Sequence, residues 1–225
     1  MKFAELQQEV ARLKVAEQVE IVVASKYFNE EEIARLALQG AVCFGENKVQ
    51  DLVRKSEFFT QNELSNSNLS KIRWHFIGRL QTNKINHLLR SKPVLWQSCE
   101  GLEAALEVEK RLQNLESPYK LPTLLQIATG GNKQGVTPDL ALKTYEEILA
   151  NCRFVQPCGV MSVASQRLSQ VGERQVASEF EATQQVFEKL KSFGAKYCSM
   201  GMSEDYKLAL QIGANIVRIG SALKT

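Results

Sequence analysis

The sequence predicts a (β/α)8 TIM barrel, in which eight parallel strands and their connecting helices close into one ring. Three observations favour this fold class. Short apolar runs alternate with amphipathic segments along the whole chain, the runs number eight, and their even spacing leaves no point at which the strand order would reverse. A doubly wound Rossmann-like sheet is the alternative, since the same alternation builds it.

The strand candidates are short runs rich in Val, Ile, Leu and aromatic residues, as expected for parallel strands that are buried on both faces. They lie at 20–25, 42–45, 72–77, 94–97, 123–128, 154–161, 197–200 and 216–220.

The helix candidates lie between those runs and have apolar residues at helical spacing. Asn29 is a good N-cap because three glutamates follow it, and Pro138 suits the first position of its helix. The candidates are 30–39, 48–59, 82–89, 101–115, 138–150, 172–193 and 204–212.

A further helix is predicted at 3–15, ahead of the first strand. Its residues Phe3, Leu6, Val10 and Leu13 form one apolar stripe. The eighth strand should end near Gly220, with only five residues after it in the sequence. We therefore expect this N-terminal helix to take the place of an eighth helix and to close the barrel wall.

Two polar stretches do not fit the alternation. They lie at 61–70 and 165–170, and their composition predicts surface loops. The second stretch should lie beside the carboxyl end of the sixth strand.

Length and composition favour a small-molecule-binding protein of one domain. A chain of 225 residues fits a single barrel, so one domain is expected over residues 1–225. The net charge of +3 is too small to indicate nucleic acid or an anionic membrane as a partner. No apolar run approaches the roughly 18 residues of a membrane span, and the charged segment 1–15 lacks a signal-peptide centre. We expect a cytoplasmic location.

The five cysteines and two histidines show no metal-binding spacing. The cysteines form no C-x-x-C pair, and several lie in or beside apolar segments. Buried reduced thiols are therefore expected, and a metal site is not.

Polar residues follow the predicted strands at the edge where a barrel binds its ligands. Lys26 closes the first strand, so its amine should point toward the ligand. Asn47 follows the second strand and Ile77 ends the third. The last two strands run into the loops 199–205 and 217–221, which contain glycine and serine.

Those last two loops suggest a phosphate site. Gly201 with Ser203, and Gly220 with Ser221, supply the small residues and N–H groups that hold an anion after strands seven and eight of a barrel. Taken singly, each is explained equally well as a turn or a helix cap. Taken as a pair, they favour phosphate.

A lysine and a phosphate site on one rim suggest a phosphorylated aldehyde held as a Schiff base. Pyridoxal 5′-phosphate (PLP) is the commonest such ligand, and an aldolase acting on a phosphosugar is the competing interpretation. Arg218 could lie beside the pyridine nitrogen, where it would keep that nitrogen unprotonated, or it could pair with a carboxylate. Asn47 could bind near the ring hydroxyl or cap the following helix.

Several stretches resemble one family, the YggS/PROSC family of pyridoxal phosphate homeostasis proteins. They occur in the family's order across nearly the whole chain. The stretches are VVASK at 22–26, FGEN at 44–47, WHFIGRLQTNK at 74–84, GVM at 159–161, SMGMSED at 199–205 and VRIGS at 217–221.

The resemblance implies a fold-type III PLP-binding barrel, similar to the N-terminal domain of alanine racemase. It implies that Lys26 carries the Schiff base and that Arg218 lies near the pyridine nitrogen. Phosphate contacts are implied for Ser203, Gly220 and Ser221, and ring contacts for Asn47, Ile77 and Met200.

The resemblance also implies a function. Family members are thought to buffer or deliver the cofactor, with effects on amino-acid and keto-acid balance, and no established reaction belongs to them. We therefore expect no catalytic residues and, as possible acceptors, apo forms of PLP-dependent enzymes.

A racemase-like enzyme is the alternative function. A racemase needs an acid and a base on both faces of the substrate carbon, and Lys26 is the one such group that the sequence indicates. Related racemases add a β-domain over the site, whereas the predicted barrel uses up the chain. An open rim would let cofactor exchange, which suits a carrier and a monomer.

Overall fold

Eight parallel strands close into a ring in which each strand pairs with its neighbours in the sequence and the last pairs with the first. The computed structural model describes residues 1–61, 69–131 and 134–224. Because the order is sequential around a closed barrel, the predicted (β/α)8 fold is confirmed and the doubly wound alternative is wrong.

The strands in the described residues match the eight predicted runs, and each end lies within one or two residues of its prediction. They are β1 (Glu20–Ala24), β2 (Cys43–Glu46), β3 (Arg73–Phe76), β4 (Leu95–Cys99), β5 (Leu121–Gln126), β6 (Val155–Met161), β7 (Tyr197–Ser199) and β8 (Ile216–Ile219).

The α-helices of the described residues cover the outside of the strands. They are α1 (Phe3–Leu13), α2 (Glu30–Leu38), α3 (Val49–Gln61), α4 (Ile85–Arg90), α5 (Leu102–Gln113), α6 (Ala141–Asn151), α7 (Leu168–Val171), α8 (Glu173–Leu190) and α9 (Tyr206–Ile212).

The N-terminal helix α1 packs against α9, the helix between the last two strands. Phe3, Leu6 and Val10 are buried as predicted, while Leu13 is only partly buried. Glu9 accepts a hydrogen bond from the Tyr206 hydroxyl and pairs with Lys207, both on α9. The helix therefore forms part of the barrel wall.

Of the two helix starts predicted from local chemistry, one is confirmed and the other is wrong. Asn29 caps α2 as predicted, because its side chain accepts the N–H of Glu32 while the Glu32 carboxylate accepts the N–H of Asn29. Pro138 does not start its helix. It lies in a turn, and α6 begins three positions later at Ala141.

The two predicted loops have different outcomes. Residues 62–68 of the first stretch lie outside the described residues. The second stretch, 165–170, does follow β6 at its carboxyl end, but it is not loop throughout, because α7 begins at Leu168.

Two apolar clusters hold the barrel together. The larger lies between strands and helices. The smaller consists of Val22, Cys43, Leu95, Leu124, Met161 and Ile216, one residue from each of six strands. Such a ring is typical of side chains that fill the inside of a barrel.

Polar side chains share this interior. Gln97 follows Leu95 by two positions and Arg218 follows Ile216 by two, so each points to the same face of its strand as the apolar residue before it. Within the described residues, no helix has both the length and the apolar character that crossing a membrane requires.

Candidate functional site

A cavity of about 570 Å3 opens at the carboxyl ends of the strands. This volume lies within the range of small-molecule sites. Every site residue predicted from the sequence lines it, with the exception of Met200. These residues are Lys26, Asn47, Ile77, Ser203, Arg218, Gly220 and Ser221.

Met200 is placed differently from its prediction. Its side chain is fully buried in the larger apolar cluster and is not among the residues that line the cavity. The residue follows β7 directly, so it lies in the wall of the barrel. The structure therefore gives its predicted contact with a bound ring no support.

Lys26 lies on a short 3-10 helix, Ser25–Tyr27, which begins where β1 ends. The strand is one residue shorter than predicted, and the turn carries the Lys26 side chain onto the rim. Its Nζ lies 5.0 Å from the centre of the Tyr27 ring, and both side chains are exposed. The amine is therefore accessible from the cavity that it lines.

A buried ion pair supports the turn that carries Lys26. The Glu46 carboxylate accepts hydrogen bonds from the Ser25 hydroxyl at 2.8 Å, from Lys55 Nζ at 2.8 Å and from the Asn47 N–H at 3.0 Å. Lys55 also donates to the Ser25 carbonyl at 2.8 Å. One carboxylate thus fixes the residue before Lys26 and the backbone of Asn47.

Arg218 projects from β8 and is almost fully buried. Its Nη1 donates to Ser199 Oγ at 2.5 Å and its Nη2 donates to the Ser162 carbonyl at 2.8 Å. Burial lowers the pKa of Arg218 to about 10, an effect that the nearby Asp205 carboxylate opposes. The guanidinium is therefore still charged at neutral pH, and it donates to two serine oxygens.

The two glycine- and serine-containing loops meet at Ser203. Its Oγ accepts the N–H groups of Gly220 at 3.2 Å and of Ala222 at 3.3 Å. Ser203 does not cap α9, because Asp205 occupies the N-cap position of that helix. Two N–H groups that converge on one oxygen, at long distances, form a site that suits an anion.

Glycine permits a close approach at this anion site. A Cβ on Gly220 would lie 2.4 and 2.6 Å from two carbons of the Tyr27 ring and 3.1 Å from the Ala24 Cβ. The backbone of β8 therefore comes close to the turn that carries Lys26. An amine and an anion site are brought together on one rim.

The segment after β6 completes the cavity wall. Arg167 lines the cavity, is exposed, and lies 4.0 Å from a Glu204 oxygen. Ser165 is anchored by two hydrogen bonds to Glu179, from its N–H at 2.7 Å and from its hydroxyl at 2.6 Å. This segment adds a second cation to the mouth of the cavity.

Sequence reasoning missed the residues that hold Lys26 and Arg218 in place. For Lys55 there was a signal, because it occupies the apolar stripe of α3 with Val49 and Leu52, where a charged residue needs a buried partner. For Ser199 and Ser162 there was none, since their contact with Arg218 depends on the curvature of the barrel.

A family model matches nearly the whole chain. The model describes the alanine racemase N-terminal domain, and it covers residues 4–224. Curated relatives are more specific. A pyridoxal phosphate homeostasis protein of Helicobacter pylori is 38% identical over 207 residues, which are 91% of this chain and 86% of that protein. The chain belongs to the family of pyridoxal phosphate homeostasis proteins. The homeostasis protein of Homo sapiens is 31% identical over 228 residues, which are 97% of this chain and 81% of that protein.

A solved structure agrees with the barrel fold of this chain. PipY of Synechococcus elongatus, solved with PLP bound, superimposes with a TM-score of 0.80 and 24% sequence identity. The match covers 97% of this chain and 99% of that chain. At this level of identity the likeness supports the barrel architecture alone.

Proposed function

We propose that this chain, as a single barrel domain over residues 1–225, binds PLP and buffers or delivers it within the cell. One observation carries the proposal: the Lys26 amine, the buried Arg218 guanidinium and the Ser203 hydroxyl, on which two N–H groups converge, line the same cavity. Those groups match the aldehyde, the pyridine nitrogen and the phosphate of PLP. The names of the curated relatives support the same ligand.

The residue roles are part of the proposal. Lys26 is the attachment residue, whose amine condenses with the aldehyde to a Schiff base and releases water. Arg218 donates toward the pyridine nitrogen. Because a guanidinium can donate a hydrogen bond but cannot accept one, the pyridine nitrogen must be the acceptor and stays unprotonated. A ring with an unprotonated nitrogen is a poor electron sink.

The remaining contacts with the ligand are assigned from the residues that line the cavity. Ser203, Gly220 and Ser221 hold the phosphate, with the two serine hydroxyls and the backbone that follows β8 supplying the donors. Asn47 and Ile77 contact the ring. Met200, being behind the wall, supports the site without touching the ligand.

We propose that no catalysed reaction accompanies binding. PLP supplies an electrophilic aldehyde and a ring that can accept electrons. A racemase would also need a proton donor and acceptor on the second face of the substrate. Among the described residues lining the cavity, Glu204, Asp205 and Tyr27 also carry titratable groups. Glu204 pairs with Arg167, and Asp205 accepts the Met202 N–H. Tyr27 neighbours Lys26 in sequence, and its ring packs at Gly220 on the Lys26 side of the site.

Apo forms of PLP-dependent enzymes as acceptors, a cytoplasmic location and a monomeric state belong to the same proposal. The rim residues Lys26, Ser221 and Arg167 are exposed, so a bound cofactor would be accessible from solvent. Access of this kind is what exchange with an acceptor needs.

The first test is spectroscopic. Protein incubated with PLP and freed of excess ligand should show the visible absorption of an imine, and Lys26→Ala should abolish it. Lys48→Ala removes an exposed lysine nearby that does not line the cavity, so its spectrum should stay that of the wild type. An unchanged spectrum in Lys26→Ala would overturn the proposal.

The second test separates carrier from enzyme. Loaded protein should transfer PLP to an apo-enzyme faster than dilution into buffer releases it. Incubation with L-alanine and other amino acids should give no racemisation above a control with free PLP. Turnover without transfer would favour the racemase-like alternative.

A further inference from the structure

A continuous series of polar side chains crosses the inside of the barrel from the cavity to the opposite end. Arg218 Nη1 lies 2.5 Å from Ser199 Oγ, and that oxygen lies 2.7 Å from Gln97 Oε1. Gln97 Nε2 lies 2.9 Å from His75 Nδ1, and His75 Nε2 lies 3.4 Å from Glu20 Oε1. Strands β8, β7, β4, β3 and β1 contribute one residue each.

Arg218 determines which group donates and which accepts in each hydrogen bond of this series. A guanidinium has N–H donors and no acceptor, so Ser199 Oγ must accept from Arg218. The single O–H of Ser199 is then free to donate to Gln97 Oε1, as the 2.7 Å distance indicates. With its oxygen so engaged, the Gln97 amide turns its NH2 group toward His75 Nδ1.

His75 continues the same direction. Its Nδ1 accepts from Gln97, so the proton of the neutral ring is on Nε2, which faces the Glu20 carboxylate. Burial lowers the pKa of His75 to about 4, in keeping with a neutral ring. The series thus begins at a cation that only donates and ends at a carboxylate that only accepts.

The reverse orientation of Gln97 is disfavoured at both ends. A flipped amide would give Ser199 Oγ a second donor and leave the Ser199 O–H without an acceptor. It would also place the proton on His75 Nδ1 and turn the bare Nε2 toward Glu20. Buried polar groups left unmatched in this way are costly.

We propose that Ser199, Gln97 and His75 are positioning residues for Arg218, holding its guanidinium in one orientation toward the cofactor through a one-way hydrogen-bond chain. The role of these residues toward the cofactor rests on the proposed function, whereas the hydrogen-bond chain itself does not depend on it. Ser199 engages Nη1 and the Ser162 carbonyl engages Nη2. With Ser199 itself held by Gln97, the guanidinium cannot rotate toward the buried Asp205 carboxylate without breaking the chain.

The direction also accounts for a cluster at the opposite end of the barrel. Ligand-type atoms of Glu20, Cys43 and His75 lie within 4.8 Å of one another. A metal ion there would need a lone pair on His75 Nε2, but in this chain Nε2 carries the proton and donates to Glu20. Arg73 donates to both Glu20 at 2.8 Å and Cys43 at 2.9 Å, so a guanidinium already balances the carboxylate. The cluster is the accepting end of the chain.

The decisive experiment uses the full chain without cofactor, so it does not depend on PLP binding. Side-chain 15N NMR of the two histidines, assigned with the exposed His87→Gln variant, reports which ring nitrogen carries the proton. We expect His75 to be neutral with its proton on Nε2. A proton on Nδ1 in the wild-type protein would overturn the direction and with it the proposal.

A distant substitution tests whether the bonds act as one chain. Ser199→Ala frees the Gln97 amide to flip, so His75 should show a mixture of both tautomers although it does not touch residue 199. Thr123→Val is the matched control, because it removes a buried hydroxyl that donates to the Leu121 carbonyl outside the chain. An unchanged His75 in Ser199→Ala would contradict a connected chain.

The loaded protein tests the role toward the ring. Wild-type protein should bind PLP more tightly than its 1-deaza analogue, which lacks the ring nitrogen, and Gln97→Met should reduce that preference about fivefold, the value of one ordinary hydrogen bond. Ser199→Ala should act in the same way if Gln97→Met fails to fold. Failure to bind PLP at all would count against the proposed function, whereas tight binding with an unaltered preference would overturn the positioning role.

Discussion

Lys55 Nζ lies 2.8 Å from Glu46 Oε2, with both side chains almost fully shielded from solvent. The same carboxylate accepts the Ser25 hydroxyl and the Asn47 N–H, so this pair ties helix α3 to the ends of β1 and β2. The chain therefore stabilises the turn of Lys26 with a desolvated ion pair, an arrangement that is costly to break from one side.

Removal of one partner of that pair should destabilise the protein strongly. Lys55→Met leaves the Glu46 carboxylate buried without its cation, and a loss of about 3–5 kcal/mol in the free energy of unfolding is expected. Lys191→Met is the control, since it breaks a half-exposed pair with Glu188 that should contribute about 1 kcal/mol or less. Denaturant unfolding measures both, and equal losses would show that the buried pair contributes no more than a surface pair.

Ser203→Ala should weaken binding of PLP selectively. The substitution removes the Ser203 hydroxyl, whose oxygen accepts the N–H groups of Gly220 and Ala222 and whose proton is left to donate to the phosphate. We expect the affinity for PLP to fall about tenfold, as for a lost hydrogen bond to a charged group, and the affinity for pyridoxal, which lacks the phosphate, to stay the same. Fluorescence or absorption titration with both ligands measures this difference. Equal weakening of the two would place Ser203 away from the phosphate.

Gly220→Ala should act through Tyr27. The added methyl group would meet the Tyr27 ring at 2.4 Å, and that ring is exposed and free to move into the cavity. We expect a clear loss of PLP affinity with a stability change of about 1–3 kcal/mol, and recovery of much of the affinity in the double variant with Tyr27→Ala. A double-mutant cycle with both measurements tests the coupling, and independent effects of the two substitutions would rule it out.

The strands could be predicted because parallel strands of a barrel are buried on both faces and read as apolar runs. The observed strand ends differ from the predicted ones where a local turn replaces the strand. Ser25, for example, belongs to a 3-10 helix and not to β1. Pro138 was misplaced because a proline with fixed φ fits a turn as well as the first turn of a helix. The lengths of such elements depend on packing that no single segment contains.

The candidate site, like the fold, could be predicted from the sequence only in part. Lys26, Ser203 and Gly220 could be predicted, because they follow strands and strand ends share one rim. The contact between Gln97 and Ser199 could not, since 102 positions separate them and they meet only across the closed interior. Met200 was expected at the ring from resemblance alone, yet the first residue after a strand can point into the wall.

The five cysteines should react slowly in the folded protein. Burial raises the pKa of Cys43, Cys99 and Cys198 to about 12, and that of Cys152 and Cys158 to about 11. Because the thiolate is the nucleophile, little of any thiol is reactive near neutral pH. Mass spectrometry after brief iodoacetamide treatment should find modification first at Cys152 and Cys158, which are partly exposed. Rapid modification of the three buried residues would show that the barrel opens.

Stability should fall as the pH drops from about 6.5 toward 4, and His75 should account for part of that fall. Burial lowers the folded-state pKa of His75 from 6.5 to about 4. Between these values the unfolded chain binds a proton that the folded chain does not, so acid favours unfolding, by up to about 3 kcal/mol. Unfolding in denaturant at several pH values, compared between the wild type, His75→Gln and the exposed control His87→Gln, measures this contribution. The decline should shrink in His75→Gln alone. If it were the same in all three proteins, His75 would not be neutral and buried in the folded state.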